Sequence, residues 1–318
     1  MSRIISFLLI LLSVTAGCNQ KSSLQNKGLQ GELIIFHAGS LSVPIKALAD
    51  SFNILHPDLI IKPESAGSLT CIRKITELDR DCDILASSDA VLIDKLMIPE
   101  YADWNLEFAV NEIAIVYHSG SKMADKITTE NWPDILLMDD VIIGRADPSS
   151  DPCGYRTVLS VKLAEKMMNK LGLASQLLAK DQKYIRPKEV DLIALLETNA
   201  VDYIFLYKSV ARQHDLPYLN LSDSINLGNP LLNAWYNQVS VEVPGNSPKE
   251  KIMQQGEAMI YGITIPFNSP NKQAAQEFIH FILKDGQDII RNCYQTPISP
   301  ARISATSKPP SWLVLSGK

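Results

Sequence analysis

Along its hydrophobic and polar positions, the chain switches repeatedly between short apolar runs and stretches with helical spacing. "ELIIFHAGS" (32–40) is an apolar run that ends in a turn. "VPIKALADSFNILHP" (43–57) then places apolar residues at 45, 48, 49 and 52 on one helical face, closed by His56-Pro57. The same pairing recurs in "LIIKPESAGS" (59–68) with "LTCIRKITEL" (69–78), and in "CDILASS" (82–88) with "AVLIDKLM" (90–97). Strands alternating with helices at these lengths predict α/β architecture with a mainly parallel sheet. "LEFAVNEIAIVYH" (106–118) is long for one strand and polar at Asn111-Glu112, as expected of a strand that leaves one lobe and enters another.

Beyond that crossing the alternation resumes with "NWPDIL" (131–136), "VIIGRADP" (141–148) and a long helical stretch, "YRTVLSVKLAEKMMNKLG" (155–172). "VDLIALLETNAVDYIFLYKSVARQH" (190–214) reads as helix, strand and helix. "WYNQVSVEV" (235–243) and "AMIYGITIP" (258–266) read as extended, and "NKQAAQEFIHFILKDGQDIIRN" (271–292) as helical. The pattern predicts two α/β lobes joined by two extended crossings. Lobe 1 begins over 32–111, lobe 2 covers 112–235, and 236–318 forms the return crossing and the rest of lobe 1.

The N-terminus adds an address. Arg3, the apolar "IISFLLILL" (4–12) and "VTAGC" (14–18) have the layout of a secretory signal. The apolar part falls short of the roughly 20 residues a membrane-spanning helix needs. Ala16 and Gly17 before Cys18 match the small residues of a bacterial lipobox, with Thr15 where Leu is commoner. This predicts a lipoprotein signal over 1–18, lipid on Cys18 and an anchor outside the cytoplasm. Residues 19–31 are polar and aperiodic, as a flexible tether would be.

Composition changes this picture little. At 318 residues the chain has room for two cores, and its net charge of −5, with no Lys/Arg run, offers no basic face for nucleic acid. Cys71, Cys82, Cys153 and Cys293 form no CxxC pair; a Cys71–Cys82 bridge is left open. The five histidines are scattered, without the spacing of a helix-borne zinc site.

Three helix starts carry the candidate chemistry: "HAGSLSVP" (37–44), "ESAGSLTC" (64–71) and "SSDPCGYR" (149–156). Ser40 and Ser68 fall at expected N-caps after Ala-Gly, and Asp151 at a third, with Pro152 in the first helical position. Helix N-termini expose unpaired N–H groups and suit an oxyanion, and open α/β sheets bind ligands beyond the carboxyl ends of their strands. No Walker lysine or GxGxxG follows the glycines, which disfavours a nucleotide cradle. Cys153 supports a rival reading: a secreted cysteine enzyme whose thiol is activated by the helix terminus, with His118 or His214 as base. A small buried cysteine is the commoner role.

"FHAGSLSVP", "SAGS" before a helix, "NW..IL", "DPCGYR", "DYIFLYKSVARQH" and "YGITIP" together resemble the tungstate- and molybdate-binding receptors of ABC importers, in the WtpA-type branch of the molybdate-binding periplasmic proteins. The likeness runs from about Gly31 to about Ser299. It implies a class II periplasmic-binding-protein fold, with two Rossmann-like lobes closing on a tetraoxyanion. It also implies a monomer without cofactor or turnover, which docks on a membrane permease and its ATPase. Residue by residue, it implies that Ser40 and Ser68 hold oxyanion oxygens, that Asp151 approaches the metal, and that Tyr207 lies at the rim.

One position departs from the branch. Where a glutamate is expected before that tyrosine, this chain has Leu206. A carboxylate beside a dianion is repulsive unless the ligand's centre accepts its oxygen. Mo(VI) and W(VI) can do so; the sulfur of sulfate does not. Two carboxylates therefore favour a six-coordinate metalate, whereas Asp151 alone leaves five-coordinate and tetrahedral binding open. Sulfate, phosphate or another small oxyanion on the same fold is the alternative.

Overall fold

Two mixed sheets organise the chain in a computed structural model that describes residues 28–245, 250–305 and 309–313. The signal segment, Cys18 and residues 19–27 of the tether lie outside these residues. The strands are β1 (Gly31–Ala38), β2 (Leu59–Ala66), β3 (Ile84–Ser87), β4 (Trp104–Val110), β5 (Ile113–Tyr117), β6 (Ile143–Ala146) and β7 (Ile185–Arg186). They continue with β8 (Tyr203–Tyr207), β9 (Tyr218–Asn220), β10 (Ser240–Pro244), β11 (Lys251–Gln255), β12 (Ile260–Thr264) and β13 (Thr296–Ala305). The first sheet runs β13-β4-β12-β3-β1-β2, the second β7-β6-β8-β5-β9, and β10 pairs with β11 in a separate hairpin. This is the two-lobed α/β periplasmic-binding-protein fold.

The sheets are less parallel than the alternation predicts. β1 runs parallel to β2 and β3, and β6 to β7 and β8; β12 and β13 in the first sheet, and β5 and β9 in the second, pair antiparallel. The physical reason is connectivity. Parallel neighbours need a helical crossover within a lobe, whereas strands that enter or return from the other lobe arrive in the opposite sense.

The long run 106–118 does split at its polar middle, between β4 and β5. Asn111 there donates to Tyr261 Oη on β12 and to Ser209 Oγ, both at 2.7 Å, and so ties the first crossing to the return strand. Glu112 is held by Lys208 and by Asn226, both at 2.6 Å. "WYNQVSVEV" is extended only from Ser240, because Trp235 and Tyr236 end a short helix where Trp235 Nε1 donates to the Ser224 carbonyl. The segment 271–292 forms two helices, Lys272–Leu283 and Gln287–Asn292. A Cβ on the intervening Gly286 would come 2.7 Å from Leu48 Cδ2, so the break lets the chain pack against helix Ser42–Leu55.

Each lobe has an aromatic centre. Phe52 packs edge-on against Phe278 with ring centroids 5.1 Å apart, and Trp132 meets Phe205 at 6.1 Å; burying each such side chain contributes about 1.5–3 kcal/mol. Trp312 lies edge-on to Trp104 at 5.7 Å and Leu313 is buried, so residues 309–313 dock on the first lobe. No disulfide joins Cys71 to Cys82: all four described cysteines are free and buried. Cys71 Sγ donates to the His37 carbonyl and Cys82 Sγ to that of Ile84.

Candidate oxyanion site

The three turns singled out by the sequence meet where the two lobes touch. Two of the expected caps are corrected. Ser40 lies inside a single 3-10 turn, Gly39–Leu41, and Ser68 is the first residue of its helix rather than the cap; neither side chain caps. Asp151 does cap, its Oδ1 accepting the Cys153 N–H at 2.8 Å, with Pro152 first in helix Pro152–Met168. Freed from capping, the serine hydroxyls bond partners within the first lobe. Ser40 Oγ accepts from Tyr261 Oη at 3.0 Å, and Ser68 Oγ accepts the Ser88 N–H at 3.0 Å. Tyr207 Oη donates to Ser88 Oγ at 3.3 Å, the same hydroxyl that pairs with Ser68 Oγ. Ser40, Ser68, Asp151 and Tyr207 are all buried.

The duplicated Ala-Gly-Ser has a steric explanation. A Cβ on Gly39 would lie 2.9 Å from both carboxylate oxygens of Glu189, and one on Gly67 would lie 2.2 Å from the Ser150 carbonyl oxygen. Gly67 sits at φ −62°, ψ 145°, a conformation open to any residue. What requires glycine there is the opposite lobe, not the local backbone.

Glu189 is the site residue that the sequence reading missed. It precedes helix Asp191–Glu197 and looks there like an ordinary acidic residue at a helix start. The available signal was its place in a fourth strand–turn–helix unit, hidden because β7 has only two residues. Glu189 is 1% exposed, as is Asp151, and its backbone N–H donates to Asp151 Oδ2 at 3.3 Å. The two carboxyl groups lie close enough to interact through a hydrogen bond, and the Gly39–Ser40 turn of the other lobe faces Glu189. Glu189 Oε1 receives no N–H or hydroxyl donor.

Burial, reinforced by the neighbouring Asp151 charge and the bond to it, pushes the Glu189 carboxyl well above the usual carboxylate range. Burial also raises Asp151, against the lowering effect of the Glu189 carboxyl and of the Cys153 and Glu189 N–H groups. Both carboxyls are thus raised by burial and titrate as a pair. Among the described residues, no lysine or arginine bonds either group.

Leu206 is fully buried and pairs with Ala114 in the core of the second sheet. Strand alternation turns it to the face opposite Tyr207, so that position cannot join the tyrosine in the cluster. Cys153 is also fully buried; its Sγ donates to the Phe205 carbonyl at 3.7 Å, and burial pushes its thiol well above the ordinary value. The neighbouring Asp151 and Glu189 carboxyls add to the shift that burial causes, so the thiol is not activated as the cysteine-enzyme reading requires.

Residues 33–292 match the family model of the bacterial extracellular solute-binding protein. The chain belongs to that family. This solute-binding protein is 44% identical over 274 residues to an uncharacterized solute-binding protein of Petrotoga mobilis, covering 86% of this chain and 85% of the relative. It is 35% identical to the molybdate/tungstate-binding protein WtpA of Thermococcus kodakarensis, covering 93% and 91% of the two chains. In fold it is similar to the Azotobacter vinelandii periplasmic molybdate-binding protein, with a TM-score of 0.61 at 14% identity over 83% of this chain and 98% of that one.

Proposed function

We propose that this solute-binding protein is a lipid-anchored extracytoplasmic receptor for tungstate or molybdate, monomeric, delivering its ion to an ABC permease and ATPase. The observation that carries this reading is the pair of buried carboxyl groups, Asp151 and Glu189, within the interlobe contact. Sulfate, which has no proton, is repelled by two carboxylates, and hydrogen phosphate can donate its single proton to only one of them. A metal centre that accepts further oxygens turns the same pair into ligands. Glu189 takes the part for which Leu206 left no candidate, and so favours six-coordinate metalate over tetrahedral binding.

In this reading the Ser40 N–H donates to an oxyanion oxygen, while the hydroxyls of Ser40, Ser68 and Tyr207 donate to the remaining oxygens. Relatives named for molybdate and tungstate binding support the ligand class. The layout of residues 1–18 supports lipid attachment at Cys18. Calorimetric titration with tungstate, molybdate, sulfate and phosphate tests the proposal. Tight binding of a metalate with weak or absent sulfate and phosphate binding is expected, and the reverse order of affinities would refute it.

A further inference from the structure

A second interlobe contact lies beside the anion cluster, outside the set of groups that would touch a ligand. Asp89, on the turn between β3 and helix Ala90–Leu96, belongs to the first lobe. Arg156 sits on helix Pro152–Met168 of the second lobe, and its Nη2 lies 2.7 Å from Asp89 Oδ2, with both side chains at most 1% exposed. Tyr155 Oη donates to the same carboxylate oxygen at 2.5 Å, and Gln254 Nε2, from the β10–β11 hairpin, reaches it at 3.4 Å. Arg156 Nη1 donates to the Glu257 carbonyl, whereas Nε has no acceptor and Nη2 meets Asp89 as a close ion pair without a well-aligned hydrogen bond.

Two features set this pair apart from a packing contact. Its members are held together only by the meeting of the lobes, so opening about the crossings would return both charges to water. Both also adjoin the anion cluster. Asp89 follows Ser88, whose hydroxyl meets Ser68 and Tyr207, and Arg156 stands on the helix capped by Asp151. Docking Arg156 therefore fixes the helix that carries Asp151 relative to the turn that carries Ser88.

We propose that Asp89 and Arg156 are positioning residues for ligand capture: their ion pair forms on closure, sets the place of Asp151 against Ser68 and Tyr207, and holds the closed lobes around the ion. The inference rests on the oxyanion-receptor reading for its ligand but not for its geometry. An intact buried pair is close to neutral in net stability, whereas one buried partner left alone is strongly unfavourable. Because these lobes can separate, losing one partner is expressed as opening rather than as unfolding.

The test compares Asp89→Asn and Tyr155→Phe with the wild-type chain. Asparagine retains the N-cap that Asp89 Oδ1 provides to the Val91 N–H, so the helix start survives. Stopped-flow fluorescence with tungstate and molybdate should show koff about tenfold or more faster in Asp89→Asn, with kon within about threefold. Tyr155→Phe should give a smaller rise in koff. Small-angle scattering with saturating ion should show wild-type compaction that Asp89→Asn lacks, and without ion Asp89→Asn should be the more extended protein. Wild-type koff and wild-type compaction in Asp89→Asn would overturn the proposal. If neither metalate compacts the wild type, the receptor reading fails, and the ligand-free comparison still decides the pair: equal radii of gyration reject it. If Asp89→Asn does not fold while Tyr155→Phe folds with unchanged koff, the pair is structural and the proposal falls.

Discussion

Asp151 and Glu189 bring their carboxyl groups within hydrogen-bonding reach inside the contact between two lobes, with Glu189 donating its backbone N–H to Asp151 Oδ2 at 3.3 Å. A stable receptor does not need two acidic groups buried together, since each would be easier to keep in water. Under the proposed function, their role is to meet a ligand centre that accepts oxygen. That relationship generates most of what can be tested.

Replacing either carboxyl by its amide should separate ligand classes. Glu189→Gln and Asp151→Asn each keep size but replace one carboxyl oxygen with an NH2 donor; Asp151→Asn can keep the Cys153 cap but loses the acceptor for the Glu189 N–H. Tungstate affinity is expected to fall by about tenfold or more, on the scale of losing one charged hydrogen bond. Sulfate affinity should stay level or rise, because a repulsive charge has gone. Competition calorimetry reads both, and equal losses for tungstate and sulfate would contradict the metal-ligand role.

The same pair predicts an inverted pH dependence of stability in the ligand-free protein. Burial holds the Glu189 carboxyl well above its ordinary value, so between the unfolded and folded pKa the folded state binds more protons. Stability from this group is full below the ordinary carboxylate range and declines as pH rises through that window. Melting temperature measured across this window should therefore fall with rising pH more steeply in wild type than in Glu189→Gln. At the upper end the variant should melt higher than wild type, although it binds metalate more weakly.

Gly67→Ala should impair closure while leaving each lobe folded. The added methyl fits the local backbone but meets the Ser150 carbonyl at 2.2 Å, a contact that exists only when the lobes touch. Ligand-free melting should shift by no more than a few degrees, the effect of about 1 kcal/mol or less. The metalate-dependent rise in melting temperature should shrink strongly. Gly39→Ala, which meets Glu189, should behave alike but more mildly, since a side chain can yield where a carbonyl cannot.

Cys153 should be inert. With its thiol fully buried and pushed well above the ordinary value, iodoacetamide should leave it unlabelled in the folded protein and label it after denaturation, as peptide mass spectrometry would show. Cys153→Ala should preserve tungstate binding. Rapid labelling of Cys153 in the folded protein would revive the cysteine-enzyme reading.

Much of this was legible before any coordinates. Helix Ser42–Leu55 and strands β1 to β3 follow from apolar periodicity, and the polar Asn111-Glu112 marks the crossing because an interior strand would not carry it. Asp151 was legible as a cap because capping is settled within a few residues. Ser40 and Ser68 were found for a reason that needed correction: they stand on the right turns, but their hydroxyls face partners far away in sequence. Tyr207 came from family likeness, and so did the expectation at position 206, which strand alternation turns into the core.

The sequence by itself determined the alternation of strands and helices over 32–97, the strand break at Asn111-Glu112 and the Asp151 cap, because each depends on periodicity or hydrogen bonds between near neighbours. Only the tertiary structure decided that Glu189 joins Asp151, that Gly39 and Gly67 leave space for the opposite lobe, and that Asp89 meets Arg156. Those contacts join residues tens of positions apart, the first within the second lobe and the others between lobes, and local patterning carries no record of such meetings.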